Sequence, residues 1–166
     1  LRMLAHYMKD NEYTNEVVSG DIHTANQKAA GLETRNQAKT FIYAFLYGAG
    51  SAKIGQITGG GAKEGQKLID SFLRNTPKLA KLKESVSSAY ATKGWLRGLD
   101  GRKLLVRSDH SALNTLLQGA GAIVMKQAVV LLSDRLKREK IFHKFCANVH
   151  DEWQIETKAE TAELVC

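Results

Sequence analysis

The sequence predicts a predominantly helical α+β fold. Apolar residues recur at helical spacing through most of the chain, whereas two short stretches, 95–107 and 142–156, switch to strand, turn and strand. A length of 166 residues is enough for one core, or for two lobes sharing one. Residues 1–18 read as a short amphipathic helix ending near Asp10 and Asn11, followed by an acidic connection that closes in a glycine turn. Asp21 or Thr24 is placed to cap a helix running to Ala30, with His23 at its N-terminus, where free backbone N–H groups favour anions.

The stretch Thr34 to Gly50 carries the strongest signal. Thr34 with Gln37 three residues on predicts a capping box, and Gly48 and Gly50 let the helix stop. Helical spacing puts Ala38, Phe41, Ile42, Phe45, Leu46 and Ala49 on one stripe and Arg35, Lys39, Tyr43 and Tyr47 in a row on the other. Cations in line with phenols can hold phosphates at one end and stack a base at the other. Ser51 to Gly65 reads as a short helical turn and a glycine-rich loop, a hinge or turn. Its triple glycine lacks the Lys-Ser or Lys-Thr and the preceding strand of a phosphate loop.

Two scaffold helices follow, from Lys63 to Asn75 and from Thr76-Pro77 to about Ala91. Trp95 to Arg107 is a basic hairpin turning at Asp100-Gly101, with Arg97, Arg102, Lys103 and Arg107 on its arms. A long helix spans about Ser111 to Lys140 and carries Asn114 and Gln118 one turn apart. Phe142 to Glu156 is a second hairpin with His150, Asp151 and Glu152 at its bend. Alternation puts Phe145, Ala147 and Val149 on one side and Cys146 and Asn148 on the other. Adjacent carboxylates at a tip need a positive partner, either a divalent metal or an Arg or Lys.

A net charge of +7, spread through folded segments, favours an anionic partner such as nucleic acid. Cys146 and Cys166 are too few for a disulfide framework or a zinc site, which makes a reducing compartment the default. No run approaches the roughly 20 apolar residues that span a bilayer, so no membrane role is expected.

Three stretches in order, Arg35 to Gly48, Asn114 with Gln118, and His150-Asp151-Glu152, resemble the motifs of family A DNA polymerases. GDIHT, TFIYAFLYGAG, GLDGRK, SALNTLLQGAGA and VHDE resemble those of the replicative enzymes of short-tailed phages. The resemblance implies part of a right-hand polymerase: a palm fragment over 1–22, fingers over 23–94 with a nucleotide-binding helix at 35–48, and palm over 95–166. It implies that His23, Arg35 and Lys39 grip the phosphates of an incoming dNTP, with Lys39 as general acid to the leaving pyrophosphate. Tyr43 packs on sugar and base; a tyrosine there implies tolerance of a sugar lacking its 3′-hydroxyl. Tyr47 and Gly48 border the templating base, Arg102, Asn114 and Gln118 touch the primer-template duplex, and His150 lies near the primer end. By the same resemblance Asp151, supported by Glu152, would be one of two metal-bridging aspartates for two Mg2+ ions. The second aspartate lies outside this chain, so the chain alone is expected to be inactive. Regions outside the chain would bind a host or phage processivity factor, in the cytoplasm of an infected bacterium.

Two other classes compete. A non-catalytic basic nucleic-acid-binding module accounts for the charge and the helix but leaves the carboxylate hairpin unexplained. A metal-dependent phosphohydrolase needs further ligands, and His6, His23, His110 and His143 form no ligand set with His150-Asp151.

Overall fold

The computed structural model describes residues 1–166. In order, the elements are α1 (Arg2–Met8), α2 (Asn11–Val18), α3 (Ile22–Ala30), α4 (Arg35–Leu46), α5 (Ser51–Gly55), α6 (Ala62–Asn75) and α7 (Pro77–Lys93). The antiparallel strands β1 (Trp95–Arg97) and β2 (Lys103–Leu105) follow, then α8 (Asp109–Arg138), the antiparallel pair β3 (His143–Val149) and β4 (Glu152–Thr157), and α9 (Ala162–Val165). The chain divides into two compact units, Leu1–Leu117 and Gln118–Cys166, with the boundary inside α8.

The first unit holds a continuous core. Leu4, Ala38, Phe41, Ile42, Ile54, Phe72 and Leu79 are fully buried, and the start of α8 adds Ala112, Leu113, Leu116 and Leu117. Phe72 from α6 meets Phe41 and Phe45 of α4 edge-on, with ring centroids 5.0 and 5.6 Å apart, the preferred geometry for aromatic pairs. This contact fixes which face of α4 turns inward. Close packing of α5 on α6 rests on Gly55 and Gly65: a Cβ on Gly65 would collide with the Ser51 carbonyl, and one on Gly55 with that of Gly61. The triple glycine between them forms the expected turn, with Gly59 at φ 72°, and it sits beside this tight helix–helix contact.

Two local expectations change in this unit. The acidic connection after Asn11 is helical: the Asp10 carboxylate accepts from the amides of Glu12 and Tyr13 at 3.1 and 3.3 Å, and the buried Tyr13 ring anchors the turn. In the β1–β2 hairpin, Gly98 N–H donates to the Arg102 carbonyl at 2.8 Å and Gly101 adopts φ 87°, so Asp100-Gly101 is part of a longer loop rather than a two-residue turn.

In the second unit β3 and β4 pair from His143↔Thr157 to Val149↔Glu152, with a register shift between Phe145 and Ala147. Cys146 is the extra residue of this bulge, which moves Ala147 and Val149 to the face opposite Phe145 and overturns the simple alternation. α8 is also long and apolar enough, by length and composition, to cross a membrane. The expectation that no such run exists overlooked it because Gln118, Lys126 and Gln127 interrupt the apolar residues without making the window polar on average. Core helices of soluble proteins pass the same test, and the first turns of α8 lie in the core of the first unit.

Candidate functional site

The capping box at the head of α4 is complete. Gln37 N–H donates to the Thr34 hydroxyl at 3.2 Å, and Thr34 N–H donates to Gln37 Oε1 at 3.0 Å. With the start fixed by the cap and the inner face by the phenylalanines, Arg35, Lys39, Tyr43 and Tyr47 stand exposed in one row. Lys39 forms no salt bridge, so its ammonium is open to an incoming anion.

Arg35 is held from α3. Its Nε–H and Nη2–H donate to Asp21 Oδ2 and Oδ1 at 2.8 and 3.1 Å, a two-point fork. The same carboxylate accepts from the amides of His23 and Thr24 at 3.1 and 3.4 Å and from the Thr24 hydroxyl at 2.8 Å. Hydrogen bonds from Arg35 and Thr24 hold the Asp21 carboxyl well below the usual carboxylate range, and the Asp21 hydrogen bond raises the Arg35 guanidinium. His23 follows the cap, its ring centroid 6.3 Å from that of Tyr43. Its Nδ1 is buried without a partner, and desolvation, reinforced by the Arg35 charge, lowers its pKa. His23, Arg35, Lys39 and Tyr43 thus form one cluster across α3 and α4.

At the far end of the row, Gly48 adopts φ 78° and lies directly against the His110 carbonyl at the start of α8. Gly50, expected to end α4, instead begins α5 as its N-cap at φ −69°. Asn114 is half-buried on α8, in the first unit. Arg102 turns back on its own loop, with Nη2 2.7 Å from Asp100 Oδ2. Trp95, beside it in the hairpin, carries Lys93 and Lys103 ammonium groups 5.6 and 5.0 Å from its ring centroid.

In the second unit, Gln118 is exposed at the continuation of α8. His150, at φ 55°, and Asp151 form the turn between β3 and β4, and Glu152 opens β4; all three are exposed. No group of three or more His, Cys, Asp and Glu side chains is placed to hold a metal. Asp151 and Glu152 are an incomplete donor set, so the residues of this chain do not by themselves fit a metal centre.

Sequence reasoning took Asp21 only as a cap and missed its pairing with Arg35, because nothing in a spacing of fourteen residues reveals that two helix N-termini meet. It also missed Tyr13 and Asn26. Both are buried, and burial pushes the Tyr13 phenol up to about 12, with the neighbouring Asn26 side chain opposing the shift. A tyrosine in an acidic amphipathic stretch is the only signal that could have marked the first.

Over residues 1–166 the chain matches the family described as DNA polymerase family A. It is 45% identical over 183 residues to the DNA-directed DNA polymerase of Enterobacteria phage T3, covering 96% of this chain and 26% of that protein. To the DNA-directed DNA polymerase of Escherichia phage T7 it is 46% identical, with the same coverage, 96% and 26%. The DNA polymerase I of Geobacillus stearothermophilus is 28% identical, over 100% of this chain and 21% of its own length. The chain spans about a quarter of the phage relatives it matches. Among solved structures, the POL domain of Pol1 from M. smegmatis, in complex with DNA primer-template and dNTP, superposes with a TM-score of 0.85 over 99% of this chain and 33% of that one. At 19% identity this likeness shows the fold alone.

Proposed function

This chain belongs to DNA polymerase family A, and on that premise we propose that it is the nucleotide-binding part of a phage replicative DNA polymerase, transferring a nucleotidyl group from dNTP to a primer 3′-OH. The observation that carries the proposal is the exposed Arg35-Lys39-Tyr43-Tyr47 row on α4, with His23 set beside it from α3.

The residues divide the work along the helix. Pyrophosphate departs with growing negative charge, so Arg35 and Lys39, held on a capped helix, bind the triphosphate and stabilise that charge as it develops. Lys39 donates the proton to the leaving pyrophosphate. His23, beside Arg35 and Tyr43, donates a hydrogen bond to a phosphate oxygen. Tyr43 packs on sugar and base. Tyr47 and Gly48 border the templating base, where the absence of a Cβ at Gly48 lets two backbones meet. Arg102, Asn114 and Gln118 contact the duplex, the amides reading minor-groove acceptors common to all base pairs. His150 lies near the primer end.

Asp151 and Glu152 enter the proposal as the carboxylates that would take part in holding metal. The family reading calls for two Mg2+ ions and a second aspartate. This chain presents only an incomplete donor set for them, Asp151 with Glu152. Primer-template DNA and dNTP are the proposed partners, with a processivity factor bound by regions outside the chain. The proposed location is the cytoplasm of the infected host, away from membranes.

The test is primer extension by the full-length protein. Lys39→Ala should lower the rate of nucleotide addition by about 100-fold or more, the range of a lost general acid. An unchanged rate would remove Lys39 from the chemistry. A non-catalytic nucleic-acid-binding module predicts instead that no extension occurs and that DNA binding ignores both magnesium and dNTP.

A further inference from the structure

We propose that Asp21 is a positioning residue for nucleotide binding: it orients the Arg35 guanidinium toward the triphosphate while holding the α3 N-terminus that carries His23. The inference rests on the reading of Arg35 as a phosphate ligand.

The geometry separates what is fixed from what is steered. Asp21 is set by α3, since its carboxylate accepts from the His23 and Thr24 amides and the Thr24 hydroxyl whatever Arg35 does. Arg35 opens α4 on a long side chain that is about half exposed, 52%, and would otherwise sample many rotamers. Docking Nε–H and one Nη2–H on Asp21 selects one of them. A guanidinium carries more N–H donors than the two used here, so those on its outer edge stay free for a phosphate.

A pair this exposed adds little to stability. Its effect is instead on binding: the arginine is ordered before the ligand arrives, and that cost is not met again on association. The charge of Asp21 would repel a nearby phosphate if it stood alone, but the fork of Arg35 lies on it and neutralises it. Because one carboxylate serves both helices, it also sets the offset between His23 and Arg35, the two groups that would address neighbouring phosphate oxygens.

A double-mutant cycle tests this in the full-length polymerase with primer-template, reading dNTP Kd and maximal rate from single-nucleotide incorporation. Asp21→Asn keeps the helix cap, since Asn caps as well as Asp, and removes the charged fork. It should raise dNTP Kd about threefold to fivefold, the scale of one exposed ion pair, and leave the maximal rate within about twofold. In an Arg35→Ala background the same change should add nothing, because coupled residues are not additive. Asp21→Ser, which also caps but cannot form the fork, should match Asp21→Asn and guards against a folding defect peculiar to one variant.

Three results overturn the proposal. The first is a Kd that Asp21→Asn and Asp21→Ser leave unchanged or tighten, the latter meaning that Asp21 sequesters Arg35. The second is an effect of these changes that persists in full without Arg35. If Arg35→Ala itself leaves dNTP affinity untouched, the reading of the site falls and the positioning role with it. A weakened Arg35→Ala with a silent Asp21→Asn removes the positioning role alone.

Discussion

Charge at the site is controlled residue by residue, and His23 shows how. Its imidazole is pushed below its ordinary pKa first by desolvation and then by Arg35, with Lys39 adding to the effect and Asp21 opposing it. Well above the ordinary histidine value of about 6.5 the ring is neutral in both folded and unfolded chains and contributes no pH dependence. As pH falls through that value the unfolded chain takes up the proton first, so folding loses stability until the folded pKa is also passed. A bound triphosphate reverses the local balance, because its negative charge favours imidazolium. The expected outcome is an NMR titration midpoint for His23 below the ordinary value in the free protein, moving upward on adding dNTP; His23→Gln identifies the resonance. A midpoint that stays put with saturating nucleotide would separate His23 from the phosphates.

At the scale of elements, α4 works because both ends are defined. The capping box sets where it begins, and Gly48 lets the chain leave it with the backbone pressed against His110 at the start of α8. Gly48→Ala introduces a Cβ both at positive φ and into that carbonyl, and should destabilise the fold by about 2 kcal/mol or more. Gly50→Ala, at φ −69° with open space around it, should stay within about 1 kcal/mol. Thermal midpoints of the two variants decide the matter; equal losses would mean that the close approach does not matter. The α4 pattern was legible in the sequence because capping, stripe and stop all lie within one local window. What was illegible depended on partners distant in sequence. The Asp21–Arg35 fork joins two helix starts, the Gly55–Gly65 contact joins two helices, and the Cys146 bulge is set by how β4 pairs with β3. The helix at α2 was missed for a different reason: its polar composition hid a capped turn anchored by a single buried tyrosine.

Across the whole molecule the proposed chemistry is divided between units of different character. The first unit carries the contiguous core and, with it, the cationic cluster on α3 and α4. The second carries the carboxylate turn on a two-stranded hairpin, and Val124, Val130 and Leu131 stand exposed on its stretch of α8. The donors proposed for phosphate binding stand on a capped helix of the first unit. Nucleotidyl transfer also needs divalent cations at the attacking and leaving oxygens, and a full carboxylate set that would hold them. Two adjacent carboxylates do not provide that, and no third ligand side chain joins them in this chain. The family was legible in the order of the motifs, while the incompleteness of the donor set became a structural observation only once the folded turn was seen. The 166-residue polypeptide by itself should therefore give no templated extension of a labelled primer with magnesium and all four dNTPs, under conditions where the full-length protein extends it. Extension by the purified polypeptide, abolished by Asp151→Asn, would mean that the hairpin carboxylates suffice and that the proposed need for a second aspartate is wrong.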